Sequence, residues 1–481
     1  MSMLSQLELL ERRMNRAIEH QRAIIDGVHP AQKMSAENLI RYLALRTEEI
    51  RPLQDKLHIA GLSSLQSSES HILRQLQAIQ ERLGKEFDEG DLSKCDYNTA
   101  RDLIQRRSER LFGPKRNPDI PYLMVTFDQG FLDNFQLVVK LLEAGMNIAR
   151  INCAHDEKDV WENMIALIRK ASAKTGIPCN IYMDLAGPKL RTNLLGKGRM
   201  SGEVSLMEGQ VVTLAEEDAD YDPSAVVIGC SEPGIIRQLK VDERVLFDDG
   251  LIEARVVSNS NGLAVLRMIR ISSKKSKLKV EKGMNFADSE LRVPAITERD
   301  QSLIPFICEH ADLVGYSFVR NADGVQELQQ VLSENEKKPQ IILKIETPQA
   351  VKNFASLLIQ GMKDEVFGVM IARGDLAVEI GFERMSEIQE EISWISEACH
   401  APVIWATQVL ETLNKSGIAT RSEVTDAFRA AMAECVMINK GDYTIKVLKT
   451  LTDILQRSGG HHIKKRYTSR PMQIAKNYFN R

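Results

Sequence analysis

The stretch IILKIETPQAVKNFASLLIQGMKDEVFGVMIARGD (341–375) holds two apolar runs, IILKIE (341–346) and FGVMIA (367–372), joined by a helical segment, and each run is followed by charged residues. Neither run alternates apolar and polar residues strictly, as a strand with one wet face would. Continuous apolar runs suit strands covered on both faces, the condition of parallel strands beneath helices. Six more such runs flank them: YLMVTF (122–127), NIARIN (147–152), NIYMD (180–184), LVGYSF (313–318), PVIWAT (402–407) and CVMIN (435–439). Helical patterns connect them, among them LVVKLLEAGM before the second run and MSEIQEEISWISEA before the seventh. Eight strands so connected predict an α/β chain folded as a TIM-type (β/α)8 barrel. A doubly wound open sheet satisfies the same periodicity.

One connection breaks the rhythm. Between NIYMD and LVGYSF lie alternating patterns, VSLMEGQVVTLA, RVLFDDGLIEARVV and GLAVLRMIRI, which read as antiparallel strands with Asp249-Gly250 as a turn pair. They predict a small β domain at 190–290, inserted after the third barrel strand, so that the barrel comprises 119–189 and 291–460. Residues 1–118 read as all-helical, since Leu4, Leu7, Leu10 and Met14, and again Leu39, Tyr42, Leu43 and Leu45, recur at helical spacing. Ser35, followed by Glu37, and Ser70 are expected to cap helices there. GPKRNPDIP then reads as a linker. Residues 461–481 form a basic tail without acidic residues, the pattern of a solvated or docking terminus.

Composition sets the outer bounds. With 63 Lys+Arg against 66 Asp+Glu, a net charge of −3 and 43% hydrophobic residues, the chain is neither disordered nor collagen-like, and its balance gives no reason to expect a nucleic-acid partner. No run long enough to cross a membrane occurs. Glu8 and Glu11 interrupt the apolar core that a signal peptide needs. The seven cysteines are scattered without a C-x-x-C pair, which suits free thiols in a reducing, cytoplasmic compartment.

In a barrel of this type the active site lies at the C-terminal strand ends. The fifth run ends Lys344-Ile345-Glu346, which alternation sends to one side, and the sixth ends Arg373-Gly374-Asp375. Carboxylates from neighbouring strands, with no His or Cys beside them, suit a hard divalent ion, Mg²⁺ or Mn²⁺. Lys344 beside it would be a fixed cation for an enolate or a phosphoryl group in transfer. Taken singly, Lys344-Glu346 reads equally well as an ion pair closing the barrel and Asp375 as a helix cap. Their joint placement with Arg150 and Asn152, Asp184, Ser317 and Thr407 on other strand ends favours function.

These residues carry a resemblance to the pyruvate kinase family. ARINCAHD (149–156), DLAGPKLRT (184–192), VLFDDGLI (245–252), ILKIETPQAV (342–351), MIARGDLAVEI (370–380), ATQVLETL (406–413) and TRSEVTDA (420–427) match its motifs in family order, with the inserted β domain where the family has its lid. The resemblance does not extend to 1–118. It implies phosphoryl transfer from phosphoenolpyruvate to ADP, giving pyruvate and ATP. Lys344 would stabilise the transferring phosphoryl group and enolate, and Arg150 would contact the phosphoryl group. Glu346 and Asp375 would hold Mg²⁺ or Mn²⁺, and backbone N–H groups around Arg373, Gly374 and Asp375 would bind the substrate carboxylate. Thr407 would face the carbon that is protonated, with Ser317 supporting the lysine. Asn152, His155, Arg191, Lys282 and Lys440 fall at nucleotide positions.

The chain also departs from the family. The serine of the usual potassium site is Ala154, and Lys189 stands where potassium-dependent members carry Glu, so its ammonium, with Asn152 and Asp184, is expected to replace K⁺. VTFDQGF (125–131) replaces the family's first-strand turn, keeping only Thr126, and INKGDY (438–443) is shorter than its counterpart. Both changes lie on the nucleotide side. The usual C-terminal regulatory domain is not expected, and a homo-oligomer is left open. Two other readings therefore stand beside the kinase: a phosphoenolpyruvate-binding regulatory homologue with impaired catalysis, and a metal-dependent pyruvate aldolase or lyase.

Overall fold

The computed structural model describes residues 2–273 and 277–459, with the dipeptides 462–463 and 466–467. Most of the basic tail expected at 461–481 lies outside the described residues.

Eight parallel strands close a barrel: β1 (Tyr122–Phe127), β2 (Ile148–Asn152), β3 (Asn180–Asp184), β4 (Leu313–Tyr316), β5 (Gln340–Ile345), β6 (Gly368–Ala372), β7 (Val403–Ala406) and β8 (Cys435–Ile438). Closure through the β1–β8 pairing excludes the open doubly wound sheet. Alternation divides each strand between two cores. Tyr122, Met124, Tyr182, Ile342, Met370 and Met437 fill the barrel interior. Leu123, Val125, Ile181, Leu343 and Val436 pack outward against the helices. Every strand is therefore buried on both faces, which is why its sequence lacks a polar alternation.

The inserted segment forms a seven-stranded, mostly antiparallel sheet with a core of its own. Its longest hairpin, Ile252–Ser260 with Leu263–Ile271, turns through Asn261-Gly262, both at positive φ, the pair a tight right-twisted hairpin requires. Asp249-Gly250 also turns at positive φ, as the sequence predicts.

Helices Met3–His20, Lys33–Arg46, Arg51–Ile59, Ile72–Arg82 and Tyr97–Phe112 precede the barrel. Leu7, Leu10, Met14 and Ile18 form the buried stripe of the first. Neither serine proposed as a cap is one. Ser35 lies inside the helix Lys33–Arg46, its hydroxyl 2.8 Å from His400 Nδ1, because burial against the barrel gave it a tertiary partner. Ser70 sits within the turn 69–71 and its hydroxyl meets His71.

The last of these helices ends at the N-terminal mouth of the barrel. Leu111 and Phe112 join the interior core, and Leu111 O accepts a hydrogen bond from Asn180 at the start of β3. Arg107, buried, donates to the carbonyls of Cys399, His400 and Ala31, and Asn38 donates to Ala398 O. The helical unit thus satisfies the C-terminal carbonyls of the helix Met385–Ala398, groups that its own helix leaves unpaired.

Candidate active site

The polar strand ends meet at the opposite mouth. Lys344, near the end of β5, is only 6% exposed, and its Nζ lies 2.6 Å from Ser317 Oγ, 3.2 Å from Glu346 Oε1 and 3.4 Å from Asp184 Oδ1. Burial opposes its charge, but Asp184 and then Glu346 outweigh that and hold its pKa above the ordinary lysine value. The ammonium is therefore held in place by three partners, and its charged form is favoured.

Asp184 is the hub of this cluster. Arg150 Nε, from β2, donates to its Oδ2 at 2.6 Å, and Tyr182 Oη donates to its Oδ1 at 2.5 Å. Burial would raise the Asp184 carboxyl, yet Arg150 and Lys344 hold it below the usual carboxylate range. Arg150 also donates to Thr126 Oγ1 at 3.1 Å. Gly315, on β4, makes the arrangement possible: a Cβ there would lie 2.1 Å from both Asp184 Oδ1 and Tyr182 Oη.

Glu346 is 3% exposed, and its Oε2 accepts from the Phe318 amide at 2.7 Å. Burial raises its pKa, Lys344 lowers it, and Asp375 raises it again. Asp375 opens the helix Arg373–Ile380, and Lys189 Nζ lies 2.9 Å from its Oδ1. The Arg373 guanidinium is committed to the fold: it donates to Ala406 O and Thr407 O, pairs with Asp426 and covers the Trp405 ring.

Phe318 and Thr407 are among the residues that hold backbone conformations ordinary side chains avoid. Phe318 has φ 54° and Thr407 has φ 64°, a rare state for a β-branched residue. Each of these two serves a hydrogen bond at the site. Phe318 turns its amide toward Glu346, and Thr407 presents Oγ1 to the Gly374 amide at 2.7 Å. Such strain persists only where the surroundings over-determine it. The Gly374 N–H, expected to face a substrate carboxylate, thus has an internal acceptor here.

The residues expected at nucleotide positions fall into two groups. Asn152, His155 and Lys440 line a cleft of about 250 Å³ together with Thr126, Asp128 and Arg150. Lys440 Nζ lies 3.2 Å from Asp128 Oδ2. Burial, then Lys440 and Arg191, lowers the His155 pKa, which favours the neutral ring. Arg191 and Lys282 belong to the inserted domain, where Arg191 donates to Glu281 O and Lys282 pairs with Asp248 at 3.3 Å. Lys189 Nζ pairs with Asp375, and Asn152 Oδ1 accepts from the Ala154 amide.

Sequence reasoning passed over Tyr182, Asp128, Asp426 and Glu379. Tyr182 carried a signal, since it lies two residues before Asp184 and shares its face of β3. The others are distant in sequence from the residues they touch.

Comparison with known proteins identifies the family. A family model described as "Pyruvate kinase, barrel domain" matches residues 128–447. The pyruvate kinase of Dictyostelium discoideum is 32% identical over 332 residues, covering 67% of this chain and 63% of that protein. That of Geobacillus stearothermophilus is 32% identical over 331 residues, covering 67% and 54%. The crystal structure of a pyruvate kinase from Cryptosporidium parvum aligns with a TM-score of 0.64 at 25% identity, over 73% of this chain and 72% of that one. The chain thus spans between 54% and 63% of the length of these two curated relatives.

Proposed function

The chain belongs to the pyruvate kinase family, and on that premise we propose that it transfers the phosphoryl group of phosphoenolpyruvate to ADP, giving pyruvate and ATP. The observation that carries this reading is the Lys344 ammonium, buried between Asp184, Glu346 and Ser317 at the barrel mouth, with Arg150 across the same aspartate. Phosphoryl transfer asks for positioning and charge neutralisation more than for covalent chemistry. Two rigid cations on one anchored carboxylate supply both.

Glu346 and Asp375 would hold the divalent ion. They are oxygen donors from neighbouring strand ends, and the burial that raises Glu346, with Asp375 adding to it, is relieved by a cation between them. A pair of carboxylates, with substrate oxygens and water completing the shell, suits Mg²⁺ or Mn²⁺. When bound, the ion would neutralise charge on the phosphoryl and enolate oxygens. Arg150 would orient the phosphoryl group, Lys344 would balance the charge developing on the enolate oxygen, and Thr407 would stand beside the carbon that takes the proton. Lys189 supports activity without potassium, since it places a fixed positive charge at the same mouth. The inserted sheet would close over the site and exclude water.

A second reading, a phosphoenolpyruvate-binding protein without turnover, is favoured by the Asp128–Lys440 pair, which sets a carboxylate against a cation expected to meet nucleotide phosphate. A coupled assay with phosphoenolpyruvate, ADP and Mg²⁺ separates the two. Turnover abolished in Lys344→Met supports the kinase. Saturable phosphoenolpyruvate binding without turnover on any diphosphate supports the second reading, and aldol cleavage dependent on pyruvate would displace both.

A further inference from the structure

The lid meets the barrel on the same helix that carries Asp375. Its returning leg includes Met284–Asn285, a short strand paired with Leu246 and Phe247 of the lid sheet. Asn285 Nδ2 donates to Glu379 Oε1 at 2.7 Å, and Glu379 lies one helical turn after Asp375. The lid turn at Gly250 rests on the same surface: a Cβ there would lie 3.5 Å from Val378 Cγ1. Lys189, on the outgoing leg, reaches Asp375 itself. Both legs of the lid therefore end on one eight-residue helix.

Glu379 is an unusual residue to find in that place. It lines a small cavity of about 20 Å³ with Lys189, Asn285, Arg320 and Gln349. Arg320 Nε, buried in the same lining, has no hydrogen-bond partner among the described residues. Asn285 supplies the carboxylate with one neutral donor. A part-buried acceptor of this kind is left under-satisfied if that donor leaves, and loses little if the lid stays in one orientation. We propose that Glu379 is a positioning residue, which fixes the lid's returning leg to the helix of Asp375 through Asn285 and so couples lid orientation to the geometry of the catalytic mouth. The kinetic side of this proposal rests on the phosphoryl-transfer reading above; the structural side does not.

Hydrogen–deuterium exchange on the full-length protein tests it. Glu379→Leu removes the acceptor, Glu379→Gln keeps an oxygen for Asn285, and Asn285→Ala removes the donor. Loss of this one hydrogen bond predicts exchange across residues 282–290 raised about tenfold in Glu379→Leu and Asn285→Ala. The lid hairpin 252–271 should exchange at the wild-type rate, and Glu379→Gln should restore protection of the leg. The Glu379→Leu, Asn285→Ala double variant should open no further than either single one. In the coupled assay, KM should rise about tenfold while kcat changes less, because ground-state positioning and not the chemical step is altered. Wild-type exchange of the leg in Glu379→Leu, or an equal rise throughout the lid, would overturn the proposal. A wild-type protein without turnover refutes the kinase reading, and the exchange pattern then decides the joint by itself.

Discussion

The Lys189 ammonium lies 2.9 Å from the Asp375 carboxylate, joining the lid's outgoing leg to the barrel helix that opens the candidate metal site. This places a built-in monovalent charge at the mouth. Turnover is accordingly expected without added potassium. Lys189→Glu would set two carboxylates against each other, so its activity should fall by at least about tenfold and be recovered by added KCl. Rates across a KCl titration with sodium-free substrates check this, and strong potassium activation of the wild type would contradict it.

Lys344→Met should cost stability as well as activity. It leaves Asp184 and Glu346 buried without their shared cation, a loss of about 3–5 kcal/mol at neutral pH. Uncompensated carboxylates take up protons more readily, so the deficit should shrink as pH falls. Thermal melts of both proteins at pH 5 and pH 8 measure it, and an equal deficit at the two pH values would speak against the charge origin.

Gly315→Ala offers a test of the hub. Its methyl group would coincide with the Asp184–Tyr182 hydrogen bond, with neither side chain able to withdraw from the packed interior. Overpacking here should cost about 1–3 kcal/mol and carry a loss of turnover, because Arg150 and Lys344 both take their positions from Asp184. Denaturant midpoints and kcat together report on it.

Glu379 gives a pH signature. Burial pushes its carboxyl up to about 7, against the ordinary 4.5. Asn285, Arg320 and Arg244 oppose that rise and Asp375 adds to it. A group raised in the folded state holds its proton longer than in the unfolded chain, so stability should fall as pH rises from about 4.5 to 7 and then level off. The span is worth about 3 kcal/mol at most. Glu379→Gln should flatten that part of the stability profile, and an unchanged slope would show that another group produces it.

The helical N-terminal unit should not be removable. Its apolar stripe shares one continuous core with the outer barrel, and Leu111 and Phe112 plug the barrel floor. Deletion of 1–118 is expected to yield insoluble or uncooperatively folded protein. Arg107→Met, a milder probe, strands three carbonyls and should cost about 2–4 kcal/mol without changing KM. A soluble deletion with a sharp melt would defeat this.

Much of the barrel was legible because its signal is local. The run YLMVTF coincides with β1, and MSEIQEEISWISEA with the helix Met385–Ala398, since burial on both faces or on one stripe writes a period into the chain itself. The strand-end residues Lys344, Glu346 and Asp184 were legible for the same reason, as alternation within a strand fixes which side chains share a face. Ser35 shows where this stops. Its neighbours suit a cap, but His400, 365 residues away, claimed its hydroxyl.

The sequence by itself determined the barrel, the inserted sheet and the kinds of residue at the mouth, because strand period, turn chemistry and motif order are properties of neighbouring residues. The tertiary structure alone decided who pairs with whom. It set Lys189 on Asp375, gave the Gly374 amide to Thr407, faced Lys440 with Asp128, and tied Asn285 of the lid to Glu379. Charges and hydrogen-bond donors from distant segments are interchangeable until folding fixes their separations, and electrostatic partners are chosen by distance in space, which no local pattern records.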